Sequence, residues 1–214
     1  MERTAQRYRR ASRWAEGFAR GKISADPAYA TVLSLLPEQG LLADVGCGEG
    51  YLLALVRDVR PALTLFGVDH DERRLGLART ALANEPRLEL SAGDLLECPL
   101  PEADVIACLD VLHYLPVKKQ DHAITRLCAA LRPGGALLIR DAESGAGFRS
   151  LLTRWSERLT VAVGRHRGEG VYLRPSEELQ AVLTSQHLQV EVHPCREGTP
   201  FANVLFVARH PATQ

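Results

Sequence analysis

Three short clusters in the 214-residue chain pair glycines with a carboxylate. They are Asp44-Val45-Gly46-Cys47-Gly48-Glu49-Gly50, Gly67-Val68-Asp69 and Ala92-Gly93-Asp94-Leu95. Glycines let backbone approach a ligand closely, and a helix beginning after the first cluster adds free N–H groups. The G-x-G-x-G spacing differs from the G-x-G-x-x-G of dinucleotide binders, and the Asp44 carboxylate ahead of it would repel a pyrophosphate. That charge suits a cationic amine. Asp69, 19 residues beyond Gly50, can accept hydrogen bonds from both hydroxyls of a ribose, which opposes a 2′-phosphate. Asp94 can accept from the exocyclic amine of adenine. Each acid alone has a plainer reading as a helix N-cap. Together, at the ends of three successive predicted strands, they describe a ligand with an amine, a ribose and an adenine but no phosphate.

A fourth loop, Asp110-Val111-Leu112-His113-Tyr114-Leu115, carries the groups that could move a proton. Histidine has an unperturbed pKa of ~6.5, suitable for a general base. His113 is the first candidate and Asp110 the second, and either could instead only shape the pocket. Asp110 and Asp141 would supply two metal ligands, but the sequence offers no third, so no metal is expected.

These clusters need elements to hold them. Leu41–Val45 is a short apolar run and reads as a buried strand. Further strands are expected at 62–68, 88–91, 104–109 and 136–140, alternating with helices at 51–59, 71–83 and 117–131. That alternation implies parallel βαβ units in an α/β, doubly wound sheet, with ligands at the carboxyl ends of the strands. The rhythm breaks at residues 142–174, a glycine-bearing insertion or lid around an amphipathic stretch, Phe148 to Val163. Ser176 is the expected N-cap of a helix reaching about Gln186. Strands at 188–192 and 204–208 should then close the chain as an antiparallel hairpin. One domain is expected over 1–214, with a helical cap (1–36), a cofactor-binding core (37–141), the insertion (142–174) and a closing unit (175–214).

The charge balance is neutral, with 26 basic and 26 acidic residues and a pI near 7.1, which opposes a general nucleic-acid binder. No apolar stretch approaches the ~20 residues of a membrane span and no signal peptide is recognisable, so a cytoplasmic location is expected. Five scattered cysteines fit neither a disulfide framework nor a zinc site. Residues 1–22 hold seven basic residues against two acidic ones, a local excess of +5. Tyr8, Ala11, Ala15 and Phe18 give that segment one apolar helical face. It reads either as a cap helix packed on the domain or as a surface for an anionic partner, a membrane or an acidic carrier protein.

The set of motifs resembles the class I S-adenosylmethionine-dependent methyltransferases. The likeness rests on LADVGCGEG (42–50), FGVDHD (66–71), SAGDLL (91–96), ADVIACLDVLHYL (103–115) and LRPGGALLIRD (131–141). It implies a Rossmann-like seven-stranded sheet in the order 3-2-1-4-5-7-6, strand 7 antiparallel, with helices on both faces. It also implies that Gly46, Cys47, Gly48 and Gly50 lie against the methionine part of S-adenosylmethionine, that Asp69 takes the ribose, and that His70, Gly93, Asp94 and Leu95 surround the adenine. Leu109 would pass under the sulfonium, and Lys22 is a candidate for the cofactor carboxylate. The product would be S-adenosylhomocysteine.

Base-methylating relatives carry an Asn/Asp-Pro-Pro-aromatic tetrapeptide after the fourth strand, where this chain has Leu109-Asp110-Val111-Leu112. A small-molecule acceptor, free or carrier-bound, is therefore expected. It would be apolar or aromatic and methylated at a hydroxyl or ring carbon, as in lipid, polyene or other secondary-metabolite biosynthesis. Tyr114, Phe148, Leu151, Leu152, Trp155, Tyr172 and Arg174 are the candidate acceptor contacts. The alternative is a noncatalytic S-adenosylmethionine-binding domain working through a partner.

Overall fold

Val, Ile, Leu and Ala dominate seven short runs, and all seven pair into one sheet. The strands are β1 (Leu41–Val45), β2 (Thr64–Asp69), β3 (Leu88–Ala92), β4 (Ala103–Leu109), β5 (Leu131–Ala142), β6 (Gln189–Pro194) and β7 (Asn203–Arg209). Their order is β3-β2-β1-β4-β5-β7-β6, with β7 antiparallel to both β5 and β6, as expected. The computed structural model describes residues 1–142, 170–195 and 203–211. The candidate acceptor residues Phe148, Leu151, Leu152 and Trp155 lie outside the described residues.

Alternation along the strands sends side chains to two cores. Leu42, Leu65, Val105 and Leu138 face one, which is completed by α4 (Tyr51–Val59) and α5 (Glu72–Ala81). Val45, Val68, Ile106, Leu137 and Ile139 face the other, closed by α6 (Val117–Ala129) and α7 (Ser176–Ser185). Ser176 is the first residue of α7 and Pro175 holds the cap position, with no side-chain cap bond. Proline has fixed that start one residue earlier than the serine implies.

The N-terminal segment departs further from expectation. The basic stretch is not one helix but α1 (Glu2–Arg7), a 3₁₀ turn (Tyr8–Arg10) and α2 (Arg13–Ala25), and a separate helix, α3 (Pro27–Leu35), follows from Asp26-Pro27. The break comes at Ser12, whose side-chain oxygen accepts from Ala15 N–H at 3.0 Å and starts α2 afresh. The packed face of α2 is therefore Ala15, Ala19 and Ile23, while Phe18 is 39% exposed beside Trp14.

Much of the basic excess is engaged by the domain itself. Arg3 and Arg7 both bind Asp58 of α4, Arg7 also binds Glu85, and Lys22 binds Asp26, while Arg20 pairs with Glu2 and Glu16 inside the segment. This favours the cap reading of the segment over the anionic-partner one. No helix among the described residues is long and apolar enough to cross a membrane.

Candidate active site

The first glycine cluster forms the turn between β1 and α4. Gly46, Gly48 and Gly50 have φ of +79°, +54° and +75°, a region that disfavours side chains. A Cβ on Gly46 would meet Val111 at 2.3 Å, and one on Gly48 would meet the Arg74 guanidinium at 2.2 Å. A side chain at Gly46 or Gly48 would therefore strike Val111 or Arg74, so the turn itself requires glycine at both positions.

Asp44 and Asp69 end adjacent strands. Asp69 is buried, and both its oxygens are already in use: Oδ2 accepts from Gly48 N–H and Oδ1 from Asp71 N–H, each at 2.8 Å. A carboxylate has about four acceptor sites, so capacity remains for ribose hydroxyls. His70 is exposed, with Nδ1 3.5 Å from Asp69 Oδ1. Asp44 is also buried. Burial and the nearby Asp69 charge push its carboxyl up to about 7, against the pull of Arg74. Arg74 lies across this pair, 2.7 Å from Glu49 Oε2 and 4.0 Å from Asp69 Oδ2. Burial opposes its charge, but Glu49, Asp69 and Asp71 together hold it fully protonated. Two buried acids facing one arginine leave a site short of positive charge, which fits a ligand bearing an ammonium and a sulfonium.

Asp94 is exposed, its Oδ1 accepting from Leu96 N–H at 2.8 Å, while Leu95 turns inward and is buried. A Cβ on Gly93 would strike Cys98 at 2.6 Å. Cys47 is buried and its thiol pushed upward by that burial, so it fills space as a small apolar group.

The carboxyl end of β5 organises the other half of the site. Arg140 and Asp141 are adjacent in the strand, so their side chains leave opposite faces of the sheet. Arg140 is buried on the cap side and forks onto Asp110, with Nε 2.8 Å from Oδ1 and Nη2 on Oδ2, while Nη1 binds Asp26. Lys22 completes the cluster, 3.3 Å from Asp26 and 3.9 Å from Asp110. Burial would raise the Asp110 carboxyl, but Arg140 and Lys22 outweigh it and hold it at about 2. A carboxylate so acidic is a poor general base. Asp110 has φ +59°, a strained value for a non-glycine residue. Its backbone N–H donates to Arg140 C=O at 2.9 Å.

Asp141 faces the opposite side and pairs with His113 through Nδ1. Both are buried, and Asp141 Oδ1 also accepts from Ala142 N–H at 2.8 Å. The two acids once considered as metal ligands are therefore each committed to a cation or an imidazole. Tyr172 and Arg174 reach this half from the segment before α7. Tyr172 N–H donates to His113 C=O at 2.7 Å, and Arg174 pairs with Asp121 and Glu178. Tyr114 stacks tilted on the His113 ring, 4.2 Å between centroids, and Leu109 is partly buried beneath.

Arg74, Arg140, Asp26 and Gln120 were not among the site residues read from the sequence. Arg140 and Asp141 did carry a signal: two charges closing an otherwise apolar buried strand need partners.

Comparison with known proteins fits this geometry. Residues 42–135 match the family described as a methyltransferase domain. A probable S-adenosylmethionine-dependent methyltransferase of Mycolicibacterium smegmatis is 37% identical over 98 residues, covering 45% of this chain and 35% of that protein. A tetracenomycin polyketide synthesis 8-O-methyl transferase of Streptomyces glaucescens is 31% identical over 106 residues, covering 49% of this chain and 31% of that one. Over a similar length, a tRNA N(3)-methylcytidine methyltransferase of Schizosaccharomyces pombe is 32% identical, covering 47% of this chain and 43% of its own. The chain thus spans about a third to two fifths of the length of these relatives. Among solved structures, an O-methyltransferase family protein from Burkholderia thailandensis superposes with a TM-score of 0.72 at 21% identity, covering 96% of this chain and 63% of that one. The acceptors named for two of these relatives, a polyketide and a tRNA, are of different classes.

Proposed function

We propose that this chain, whose residues 42–135 match the methyltransferase-domain family, is an S-adenosylmethionine-dependent methyltransferase that methylates a small apolar or aromatic acceptor at a hydroxyl group. A ring carbon is the second candidate position. S-adenosylmethionine, when bound, supplies an activated methyl group and departs as S-adenosylhomocysteine. The protein's own share is orientation, exclusion of water and management of one proton. Well-oriented reactants can gain roughly 7–11 kcal/mol.

On the cofactor side, Asp69 is the residue proposed to hold the ribose, with His70 and Leu95 flanking the adenine and Asp44 facing the ammonium. Asp94 has one oxygen left for the adenine amine. Lys22 would reach the cofactor carboxylate only by turning away from Asp26 and Asp110.

The observation that carries the proposal is the buried His113–Asp141 pair. A carboxylate on Nδ1 fixes the imidazole tautomer, so Nε2 carries the lone pair that can take a proton, and it stabilises the imidazolium that results. An alcohol or phenol needs such a base as it attacks the methyl group. Asp110, tied to Arg140, is assigned to structure. Tyr114, against the His113 ring, and Tyr172 and Arg174, in the segment tied to His113 through Tyr172 N–H, are the described residues proposed for the acceptor side. The neutral overall charge supports a small molecule over a nucleic acid.

The test is a turnover screen with a panel of mono- and dihydroxybenzenes, following S-adenosylhomocysteine release. His113→Ala should lower turnover by ~10²–10⁴-fold while S-adenosylhomocysteine still binds. Equal losses in turnover and in binding would reduce His113 to a wall of the pocket.

A further inference from the structure

His113 is not held by Asp141 alone. Its backbone carbonyl accepts from Tyr172 N–H at 2.7 Å, so residues on either side of segment 143–169 are tied to the loop after β4. The same junction is crossed a second time by Gln120, in the second turn of α6, whose side chain is almost wholly buried at 1% exposure. Its amide nitrogen donates to Leu115 C=O at 2.9 Å and to Tyr172 C=O at 2.8 Å. Both partners are carbonyls, so the nitrogen must stand on this side of the amide. Leu115 closes the loop that carries His113. Tyr172 therefore grips that loop through its own N–H at His113 and through Gln120 at Leu115. The next residue of α6, Asp121, binds Arg174 and pulls in the same direction.

We propose that Gln120 is a positioning residue for the base. It fixes the backbone of residues 113–115 against segment 170–175, and so holds the His113 imidazole in register with Asp141. The inference rests on the proposed role of His113. A buried amide making two donations is costly to replace by a group that makes none, because two carbonyls then lose their donors. Its effect should therefore be felt where those carbonyls lie, at the loop that aims His113, and not at the glycine loop.

Gln120→Met keeps the length of the side chain and removes both donors. The first readout needs no acceptor: 1H–15N correlation of the histidine rings, with the His113 signal assigned by its loss in His113→Ala. In the parent protein the ring should be the Nδ1–H form, and in Gln120→Met it should become a mixture of tautomers. The second readout is turnover with the best phenol from the screen. Gln120→Met should lower kcat about five- to twentyfold, leave S-adenosylhomocysteine affinity within twofold, and change kcat less than twofold when made in the His113→Ala protein. If Gln120→Met does not fold, Gln120→Asn, too short to span both carbonyls, should shift both readouts the same way by less. An unchanged tautomer and kcat, or a full second loss of kcat on top of His113→Ala, would overturn the positioning role. If His113→Ala itself leaves kcat intact, the base assignment falls and this role falls with it. An impaired His113→Ala beside an unaffected Gln120→Met removes the positioning role alone.

Discussion

Asp69 and Asp141 both close a buried strand, yet their settings differ in kind. Asp69 is held mainly by backbone N–H groups of residues 48 and 71, with Arg74 at 4.0 Å, and the acid beside it, Asp44, has no ion pair among the described residues. Asp141 and its neighbour Arg140 are each matched to a specific side chain, His113 and Asp110. The β1–β2 half holds more acid than its one arginine matches, and its proposed role is to take a cationic ligand. In the β4–β5 half each acid has a specific side-chain partner, and the proposed role of that half is to aim a proton acceptor. One half should govern cofactor affinity and the other the rate, and substitutions in each should separate the two quantities.

The sharpest separation is His113→Ala, expected to cost turnover by orders of magnitude with little change in cofactor binding. Next in size is Arg140→Met. It leaves the Asp26 and Asp110 carboxylates together with only the partly exposed Lys22 between them. Breaking a buried pair in this way typically costs about 3–5 kcal/mol, so thermal unfolding should show a large fall in Tm. A small fall would mean that Lys22 alone neutralises the cluster.

Asp69→Ala should weaken S-adenosylhomocysteine binding by ~1.5–3 kcal/mol, the range for hydrogen bonds to a charged group. Asp44 predicts a pH dependence. Its carboxyl lies at about 7, so it is largely neutral below that pH and ionised above. A cationic ligand favours the ionised form, so affinity should rise as pH increases through 7, with a proton released on binding below it. The free protein should lose stability over the same interval, from the ordinary carboxylate range up to about 7, because ionisation is resisted in the fold. Calorimetry in two buffers of different ionisation enthalpy measures the proton, and Asp44→Asn should abolish it. The smallest effect is expected at Trp14, 66% exposed. Trp14→Ser should alter stability by no more than ~0.5 kcal/mol, and a larger change would mean that this surface is covered in solution.

The residues of the proposed cofactor half could be picked out of the sequence because each acid lies in a short motif with its own glycine. Asp44 lies within six residues of the glycines it accompanies, and strand ends follow from apolar runs. Nothing in the sequence, however, announced that Arg74 crosses Gly48. The other half depends on partners far apart in the chain. His113 and Asp141 are 28 residues apart, Arg140 and Asp110 are 30, and Arg140 and Asp26 are 114. No periodicity or spacing announces such pairs, although charges ending a buried strand announce that some partner exists. The N-terminal helix was overextended for a local reason, as Ser12 competes for the backbone and restarts the helix.

The most direct test of the division between the halves is calorimetric titration of S-adenosylhomocysteine into the parent protein, Asp69→Ala and His113→Ala. Affinity should fall by about ten- to a hundredfold in Asp69→Ala, in line with the loss of hydrogen bonds to a charged group, and stay within twofold of the parent in His113→Ala. An unchanged Asp69→Ala, or a His113→Ala that loses binding as severely, would contradict the account.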